Sequence, residues 1–284
     1  MSSLKSRVVT AVFFVLAMLI GVITNAYTYI ILFGIINILC LWEFLTLLLP
    51  KKGWKSVLRL VIGISLGTLP FVMVGLLYTN FLGVQVIKFF DIVIFVLPLI
   101  FLLFLFELYS GDDHPFKLTS YIVLAVFYIG LPFSLLIPLA YPYQVFKFDI
   151  CLGLILYVWT NDTAAYFIGS RLGRTPLLPR ISPKKTWEGT LGAAAIVLLI
   201  SIPMSYLFPI LSFTNWMVIA FIVPIAGTLG DLVESMFKRS IQIKDTGSIL
   251  PGHGGFMDRF DGFIFTIPFV TVYLYIVGVL HIFF

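Results

Sequence analysis

WMVIAFIVPIAG (residues 216–227) is an apolar run, and a second run, FIFTIPFVTVYLYIVGVLHIFF, occupies residues 263–284. Between them lies the polar segment SMFKRSIQIKDTGSILPGHGGFMDRFDG (235–262), which holds four cations, three aspartates, one histidine and five glycines in 28 residues. Apolar runs of about 20 residues are typical of helices that cross a membrane. A loop that only joins two such helices needs little more than a turn, so this mixture indicates chemistry at a membrane surface.

The composition of the whole chain agrees with a membrane protein. Of its 284 residues, 61% are hydrophobic and only 11% are charged, whereas a soluble domain carries about 25% charged residues. The net charge of +5 is therefore interpreted through membrane topology and not as a sign of nucleic-acid binding. Cys40 and Cys151 both lie inside apolar runs, which favours buried side chains over a disulfide or a zinc site.

Long apolar segments follow one another along the chain and predict an all-α, polytopic integral membrane protein with about nine transmembrane helices. The first segment follows Lys5 and Arg7 like a signal peptide, but no small-residue cleavage pattern comes after it, so we interpret it as a retained helix. The predicted spans are 8–24, 26–49, 57–78, 89–109, 118–141, 148–170, 189–211, 216–236 and 263–284.

Lysines and arginines predict the orientation. If the N-terminus is cytoplasmic and the C-terminus is outside, only Lys88 and Lys147 of the 18 Lys and Arg residues face outward. An excess of Lys and Arg on the cytoplasmic side is the rule for membrane proteins. The sequence therefore predicts the cell (inner) membrane as the location, with the site facing the cytoplasm.

The two halves of the chain differ in polarity. Residues 1–145 join their apolar spans by short, plain loops, and we expect a scaffold there that serves dimer or lipid contacts. Residues 146–284 contain two long charged loops, 171–188 and 237–262. Both loops are cytoplasmic in the predicted topology, so we expect the catalytic membrane domain in this second half.

Acidic residues near the cytoplasmic ends of three predicted helices are the strongest sign of a site. Asp162 is about 13 residues into its span, at ~20 Å depth, while Asp231 and Glu234 end another span and Asp258 and Asp261 precede the last one. An ionisable group inside a span is costly and usually functional, although structural pairing is the alternative. Carboxylates from separate helices suit a hard cation such as Mg²⁺, which binds one or two of them together with substrate phosphates.

Basic residues on the same side predict phosphate binding. In SPKKTWEG (182–189), we expect Ser182 to cap a helix and Pro183 to begin it. Lys184 and Lys185 would then lie in the first turn, where positive charge is unfavourable unless an anion binds there. Ordinary cytoplasmic positive charge is the alternative.

GHGG at 252–255 supplies backbone freedom and exposed N–H groups next to an acid pair. A cradle or hinge over phosphates is one interpretation, and a plain turn is the other. The chain has no P-loop motif. The three histidines lie far apart in the sequence and give no zinc pattern.

Three blocks of this sequence resemble the phosphatidate cytidylyltransferases, also called CDP-diacylglycerol synthases. The longest runs from Ser235 to Asp261 and contains Lys238-Arg239, Lys244-Asp245, Pro251-x-His253-Gly254-Gly255 and Asp258-Arg259-x-Asp261. The others are TNDTAAYFIGSRLGR (160–174) and SPKKTWEG (182–189). The resemblance is specific over about 155–262, whereas the first five spans are similar only in number and in being apolar.

The resemblance implies that phosphatidic acid attacks the α-phosphorus of CTP, which releases pyrophosphate and leaves CDP-diacylglycerol in the lipid bilayer. It also implies Mg²⁺ dependence and a homodimer. The number of metal ions, one or two, is left open, and no nucleic-acid partner is expected. The predicted metal ligands are Asp231, Asp258 and Asp261. The predicted catalytic residues are these three with Lys238, Arg239, Lys244, Arg259 and His253. The predicted substrate-binding residues are Asp162, Lys184, Lys185, Arg171, Arg174, Gly254 and Gly255.

The chemistry of the residues fits this reaction independently. A phosphate monoester is largely dianionic near pH 7, because its second pKa is about 6, and it needs no strong general base. Cations and metal must then bring two anions together, and His253 is better suited to donate a hydrogen bond or anchor a loop. The alternatives are a CTP-dependent lipid kinase, a cytidylyltransferase for another lipid phosphate, and an ion or phosphate transporter.

Overall fold

A computed structural model describes residues 4–79, 89–247, 249 and 254–280. Helices dominate this part of the chain and confirm the prediction of an all-α fold, with one small β-hairpin in addition. The elements are α1 (Leu4–Ile23), α2 (Ala26–Leu48), α3 (Trp54–Thr79), α4 (Phe89–Ser110), α5 (Pro115–Ala125), a π-helical turn (Val126–Gly130), α6 (Leu131–Ser134), α7 (Leu136–Leu139), a 3₁₀ turn (Pro142–Gln144), α8 (Asp149–Leu172), β1 (Pro176–Leu178), β2 (Ser182–Thr186), α9 (Trp187–Leu207), α10 (Phe213–Ser240) and α11 (Met257–Ile276).

Within the described residues, six helical segments are long and apolar enough to cross a membrane: Ala26–Leu48, Trp54–Thr79, Pro115–Leu139, Trp187–Leu207, Phe213–Ser240 and Met257–Ile276. Two shorter apolar segments, Val8–Ile23 and Val96–Ser110, fall in other predicted spans. α8 has 24 residues but carries the polar stretch Thr160–Thr163 at its middle. A polytopic protein follows from these lengths, and the exact number of spans stays a prediction.

Local sequence explains several helix boundaries. Asn25 begins α2 with a capping box, in which its side chain accepts hydrogen bonds from the backbone of Tyr27 (2.9 Å) and Thr28 (3.0 Å). Ser212 caps α10 by accepting a bond from Asn215 N at 3.2 Å. Such caps satisfy backbone N–H groups that lack partners within the helix.

The chain divides into two compact units. The first comprises Met1–Phe146, Thr246–Met257 and Leu280–Phe284, and the second comprises Lys147–Asp245 and Asp258–Val279. The division between Phe146 and Lys147 falls next to the predicted boundary, but part of the second predicted half belongs to the first unit. The division of labour between scaffold and catalytic halves stays a prediction.

The first unit packs closely and buries polar groups in pairs. The Tyr29 hydroxyl donates to Leu136 O at 2.8 Å. A Cβ atom on Gly130 would lie 2.3 Å from Gly67 O, so only glycine lets these backbones approach. Arg59 is 1% exposed and binds both carboxylate oxygens of Glu107 at 2.6 Å. A bidentate pair of this kind satisfies charges that would otherwise be costly to bury.

The second unit is built around α8, α9, α10 and α11. Tyr157 and Trp216 meet edge to face with ring centroids 5.8 Å apart, and the Trp216 indole donates to Phe208 O at 3.0 Å. A Cβ atom on Gly153 would lie 2.3 Å from the Trp216 ring. The tryptophan therefore needs glycine opposite it, and it ties α8 to the beginning of α10.

The last helix begins earlier than the sequence indicated. We expected a span from residue 263, but α11 begins at Met257. Asp258 and Asp261 therefore lie on one helix, where their i, i+3 spacing puts them one turn apart on the same face. α10 likewise continues past the predicted end at 236 to Ser240, which places Lys238 on the same helix as Asp231 and Glu234.

Candidate active site

A cavity of about 710 Å³ opens in the second unit, where α8 ends, α9 begins, α10 ends and α11 begins. Its size falls in the range of small-molecule sites. The lining residues from α8 are Asn161, Asp162, Ala165, Tyr166, Gly169 and Ser170; those from β2 and α9 are Ser182, Lys184, Lys185, Thr186, Gly189 and Thr190; those from α10 and beyond are Gly227, Thr228, Asp231, Lys238 and Asp245; and those from α11 are Asp258, Arg259 and Asp261. Acids from three helices thus converge, as the sequence predicted.

α8 contributes Asn161 and Asp162 of its polar stretch to the lining of the cavity. Asn161 is 3% exposed, and its Oδ1 atom has no hydrogen-bond partner among the residues that the structure describes. Its Nδ2 atom reaches Asp162 Oδ1 at 3.5 Å. A buried amide oxygen without a donor is costly, so the cavity offers an acceptor that a bound ligand could satisfy.

A β-hairpin forms one wall and corrects a prediction. Ser182 and Pro183 do not begin a helix; they lie on β2, which pairs antiparallel with β1. Thr186 is the residue that caps α9, and its side chain accepts from Gly189 N at 3.2 Å. Lys184 and Lys185 are therefore strand residues that line the cavity. The helix begins four residues later than we expected, with Thr186 and not Ser182 as its cap.

Glu188 holds the base of the hairpin, and sequence reasoning missed it. Its carboxylate accepts hydrogen bonds from the backbone of Arg174 at 3.0 Å and Thr175 at 3.1 Å. The Trp187 N–H donates to Thr175 O at 3.0 Å. These bonds join the segment between α8 and β1 to the beginning of α9, at the base of the hairpin that carries Lys184 and Lys185.

Among the described residues, two lysines of the cavity lining form three ion pairs. Lys185 pairs with Asp231 across the gap between β2 and α10. Lys238 pairs with Glu234 on its own helix and with Asp258 Oδ1 of α11 at 2.8 Å. The Glu234 side chain is fully buried, and the Asp258 side chain is 6% exposed. Lys238 therefore joins α10 to α11 at the point where both reach the cavity.

Glycines bring α10 and α11 into close contact beside these acids. A Cβ atom on Gly230 would lie 2.5 Å from Phe265 Cβ and 2.9 Å from Asp261 O. One on Gly262 would lie 3.0 Å from Gly227 O. This close approach places Asp231 and Asp261 on facing helices.

The arrangement of carboxylates fits a divalent cation. Asp162, Asp231 and Asp261 line one cavity and repel one another electrostatically. Only Asp231 among these three pairs with a lysine in the described structure. Within the described ranges, no three acidic, histidine or cysteine side chains form a preformed metal cluster. One or two of the cavity carboxylates, together with water and substrate phosphates, would be the usual ligands of Mg²⁺.

Several predicted residues lie outside the lining of this cavity, as far as the described residues show. Arg171 is exposed and stacks over Phe167 at 5.4 Å. Arg239 donates to Ile243 O at 3.0 Å, and Arg174 and Lys244 are exposed. The substrate-binding roles of Arg171 and Arg174 and the catalytic roles of Arg239 and Lys244 stay predictions.

The glycine-rich part of the polar segment falls partly beyond description. His253 lies outside the described residues. Gly254 and Gly255 belong to the first unit, and Gly254 has a φ of 83° that favours glycine. The roles predicted for these three residues are untested.

Further residues of the lining were missed from sequence, among them Asn161, Tyr166, Ser182, Thr190 and Thr228. A sign was available for Asn161, since an amide and an acid adjacent to each other inside an apolar helix are unusual. The small hydroxyl residues gave no such sign, because Ser and Thr are common in membrane helices for packing reasons.

Comparison with known proteins identifies the family of this chain. The family model described as "Cytidylyltransferase family" matches residues 5–277, and the chain therefore belongs to the cytidylyltransferase family. The chain is similar to the phosphatidate cytidylyltransferase of Bacillus subtilis, with 36% identity over 182 residues. It is also similar to those of Staphylococcus haemolyticus, with 37% identity, and Staphylococcus aureus (strain COL), with 36% identity, each over 176 residues.

These alignments cover part of each protein. They include 60% of this chain and 64% of the Bacillus subtilis protein. For the two staphylococcal relatives, they include 61% of this chain and 66% of the relative. The chain thus spans just under two thirds of the length of the curated relatives it matches.

Proposed function

We propose that the protein transfers the cytidylyl group of CTP to phosphatidic acid and forms CDP-diacylglycerol and pyrophosphate for phospholipid synthesis. A phosphate oxygen of phosphatidic acid forms a bond to the α-phosphorus of CTP. The bond from that phosphorus to the bridging oxygen of the β-phosphate breaks, and pyrophosphate leaves with the electron pair. Family membership and the names of the relatives support this reaction.

One structural observation carries the proposal. A single cavity combines carboxylates of three helices with lysines of a hairpin and of α10. A triphosphate and a phosphate monoester are both anions, so their approach requires fixed positive charge and a cation. The lysines of the lining supply the fixed positive charge, and its carboxylates would hold the metal ion.

We assign the lysines of the cavity to phosphate binding and its aspartates to metal binding. Lys184 and Lys185 line the cavity, and we assign phosphate oxygens to them. In this assignment, Lys185 exchanges Asp231 for a phosphate oxygen. Asp231 and Asp261 are then the best candidates to hold Mg²⁺, with Asp162 beside them. Asp258 accepts a hydrogen bond from Lys238. We therefore assign Asp258 a second role, which is to position that lysine, in addition to its predicted role as a metal ligand.

Mg²⁺ would neutralise charge that develops on the phosphates during transfer. No side chain has to act as a strong base, because the attacking phosphate is already largely ionised near pH 7, its second pKa being about 6. Binding and orientation of two anions are what this chain's residues contribute.

An activity assay tests this function. Purified protein is incubated with Mg²⁺ and CTP, and either phosphatidic acid or diacylglycerol is added as the lipid substrate. We expect CDP-diacylglycerol and an equal amount of pyrophosphate from phosphatidic acid, and no turnover of diacylglycerol. Formation of phosphatidic acid and CDP from diacylglycerol would show a CTP-dependent lipid kinase instead. Transfer to other lipid phosphates at equal rates would contradict the substrate that we propose.

We further propose that the cavity faces the cytoplasm in the cell membrane, because 16 of 18 Lys and Arg residues fall on its side in the predicted topology. The homodimer implied by the family resemblance is a prediction that cross-linking of the protein in membranes would test.

A labelling experiment checks the orientation. In a variant without Cys40 and Cys151, Thr175→Cys lies beside the hairpin and Ser212→Cys lies at the beginning of α10. We expect an impermeant thiol reagent applied to intact cells to label Ser212→Cys and to label Thr175→Cys only after the cells are opened. Labelling of Thr175→Cys in intact cells would contradict the orientation.

A further inference from the structure

A buried acid lies in α2, outside the residues assigned to the reaction. Glu43 is 1% exposed and lies in the apolar sequence LCLWEFLTLLL (39–49). Burial of a carboxylate is costly unless hydrogen bonds satisfy it. Because burial of this carboxylate costs free energy, we expect polar groups of the first unit to bind it.

The partners of Glu43 lie about 200 residues further along the chain. Its Oε1 atom accepts from Phe256 N at 3.0 Å, and its Oε2 atom accepts from Met257 N at 2.9 Å. The Thr246 hydroxyl also reaches Oε2, at 3.3 Å. Because α11 begins at Met257, the Glu43 carboxylate satisfies N–H groups at the beginning of α11, where a helix favours negative charge.

Two glycines make room for this carboxylate. A Cβ atom on Gly247 would lie 2.6 Å from Glu43 Oε1, and one on Gly255 would lie 2.4 Å from Oε2. Glu43 thus contacts the polar segment both before residue 248 and after residue 253. The backbone on both sides approaches so closely that side chains are excluded.

We infer that Glu43 is a positioning residue for the proposed cytidylyl transfer. It fixes the first residue of α11, and the chain continues directly into Asp258, with Asp261 one helical turn later. Both aspartates line the cavity. Glu43 acts through the position of these residues, and the inference rests on the proposed function.

Glu43→Gln is the informative substitution. The amide keeps the size of the side chain but offers one acceptor oxygen, and its NH₂ group opposes a backbone N–H donor. Residues that orient metal ligands from outside typically affect activity by about 10–100-fold. We expect kcat per folded molecule to fall by about that factor, and the KM for CTP to change little.

Glu107→Gln is the matched control. Glu107 is also buried in the first unit, at 4% exposure, but its carboxylate binds Arg59. We expect this variant to unfold at a lower temperature and to keep its kcat per folded molecule. Equal losses of kcat in the two variants would show a general effect of destabilisation and overturn the inference.

Hydrogen exchange tests the anchoring without any substrate. We expect the amides of Phe256 and Met257 to exchange faster in Glu43→Gln than in the wild type, and at the wild-type rate in Glu107→Gln. Gly247→Ala displaces the carboxylate from the other side and gives a second test if Glu43→Gln does not fold. We expect it to lower kcat and protection in the same way.

The outcomes separate the two proposals. Unchanged kcat or unchanged exchange in Glu43→Gln, or in Gly247→Ala if the former does not fold, would overturn the positioning role. A wild-type protein that does not transfer cytidylyl groups would overturn the proposed function and the role of Glu43 in it. The exchange result would still decide whether Glu43 anchors the beginning of α11.

Discussion

Asp231→Asn is expected to lower kcat by at least about 100-fold, since even residues that support a metal ligand from outside are worth about 10–100-fold. The substitution keeps the shape of the side chain and removes its charge. Asp231 lines the cavity and pairs with Lys185, so the variant loses both a candidate metal ligand and the partner of a lysine that we propose binds phosphate. Initial rates at saturating CTP and phosphatidic acid measure the effect.

The Asp231→Asn protein should still fold. The Asp231 side chain is 37% exposed, and an ion pair with that much solvent contributes only about 0–1 kcal/mol. Asp149→Asn is the matched control, because Asp149 lies in the first turn of the same helix as Asp162, at the far end from the cavity. Near-normal turnover of Asp231→Asn, or an equal loss in Asp149→Asn, would remove Asp231 from the site.

Lys238→Met is expected to lower both the stability and the activity of the protein. Lys238 is the ion-pair partner of a fully buried Glu234 side chain and of an Asp258 side chain that is 6% exposed. Removal of one partner of a buried pair typically costs about 3–5 kcal/mol, because the remaining charge has no compensation. We expect a clearly lower unfolding temperature in detergent and a loss of most activity, because Asp258 loses the group that orients it.

The double variant Lys238→Met/Glu234→Gln separates the two effects. Neutralising Glu234 removes one of the uncompensated charges, so the unfolding temperature should recover in part. Activity should not recover, because Asp258 and the cavity still lack the lysine. A single variant as stable as the wild type would show that the pair does not hold α10 to α11, and full activity of the double variant would show a purely structural role for Lys238.

The sequence predicted the convergence of acids because membrane constraints are strong. Helices must cross the bilayer in alternating directions, so the ends that carry Asp162, Asp231 and Asp258 fall on one side once the spans are assigned. Asp258 and Asp261 were expected in the loop before the last span, and their i, i+3 spacing places them on one face because α11 begins earlier and contains both.

The hairpin could not be predicted in the same way. Ser182 followed by Pro183 has the local pattern of a helix beginning, and Thr186 followed by Glu188 has a similar one. The choice between them depends on pairing of β2 with β1 and on the bonds of Glu188 with Arg174 and Thr175. The contacts of Glu188 and the pairing of Pro176 with Thr186 join residues 10 or more positions apart, and a local capping pattern does not contain them.

Glu43 illustrates the same limit over a longer distance. An acid within an apolar helix is a sign of function, yet the sequence of α2 does not indicate which backbone it binds. Its partners, Thr246, Phe256 and Met257, are more than 200 positions away. Only the packing of the first unit brings them together.

Transfer of label from CTP is the most direct test of the proposed reaction. The protein is incubated with Mg²⁺, phosphatidic acid and CTP that carries a radioactive phosphorus at either the α or the γ position. We expect the α label to enter the extractable lipid as CDP-diacylglycerol and the γ label to remain in water as pyrophosphate. Label from the γ position in lipid, or no label in lipid from either position, would contradict cytidylyl transfer.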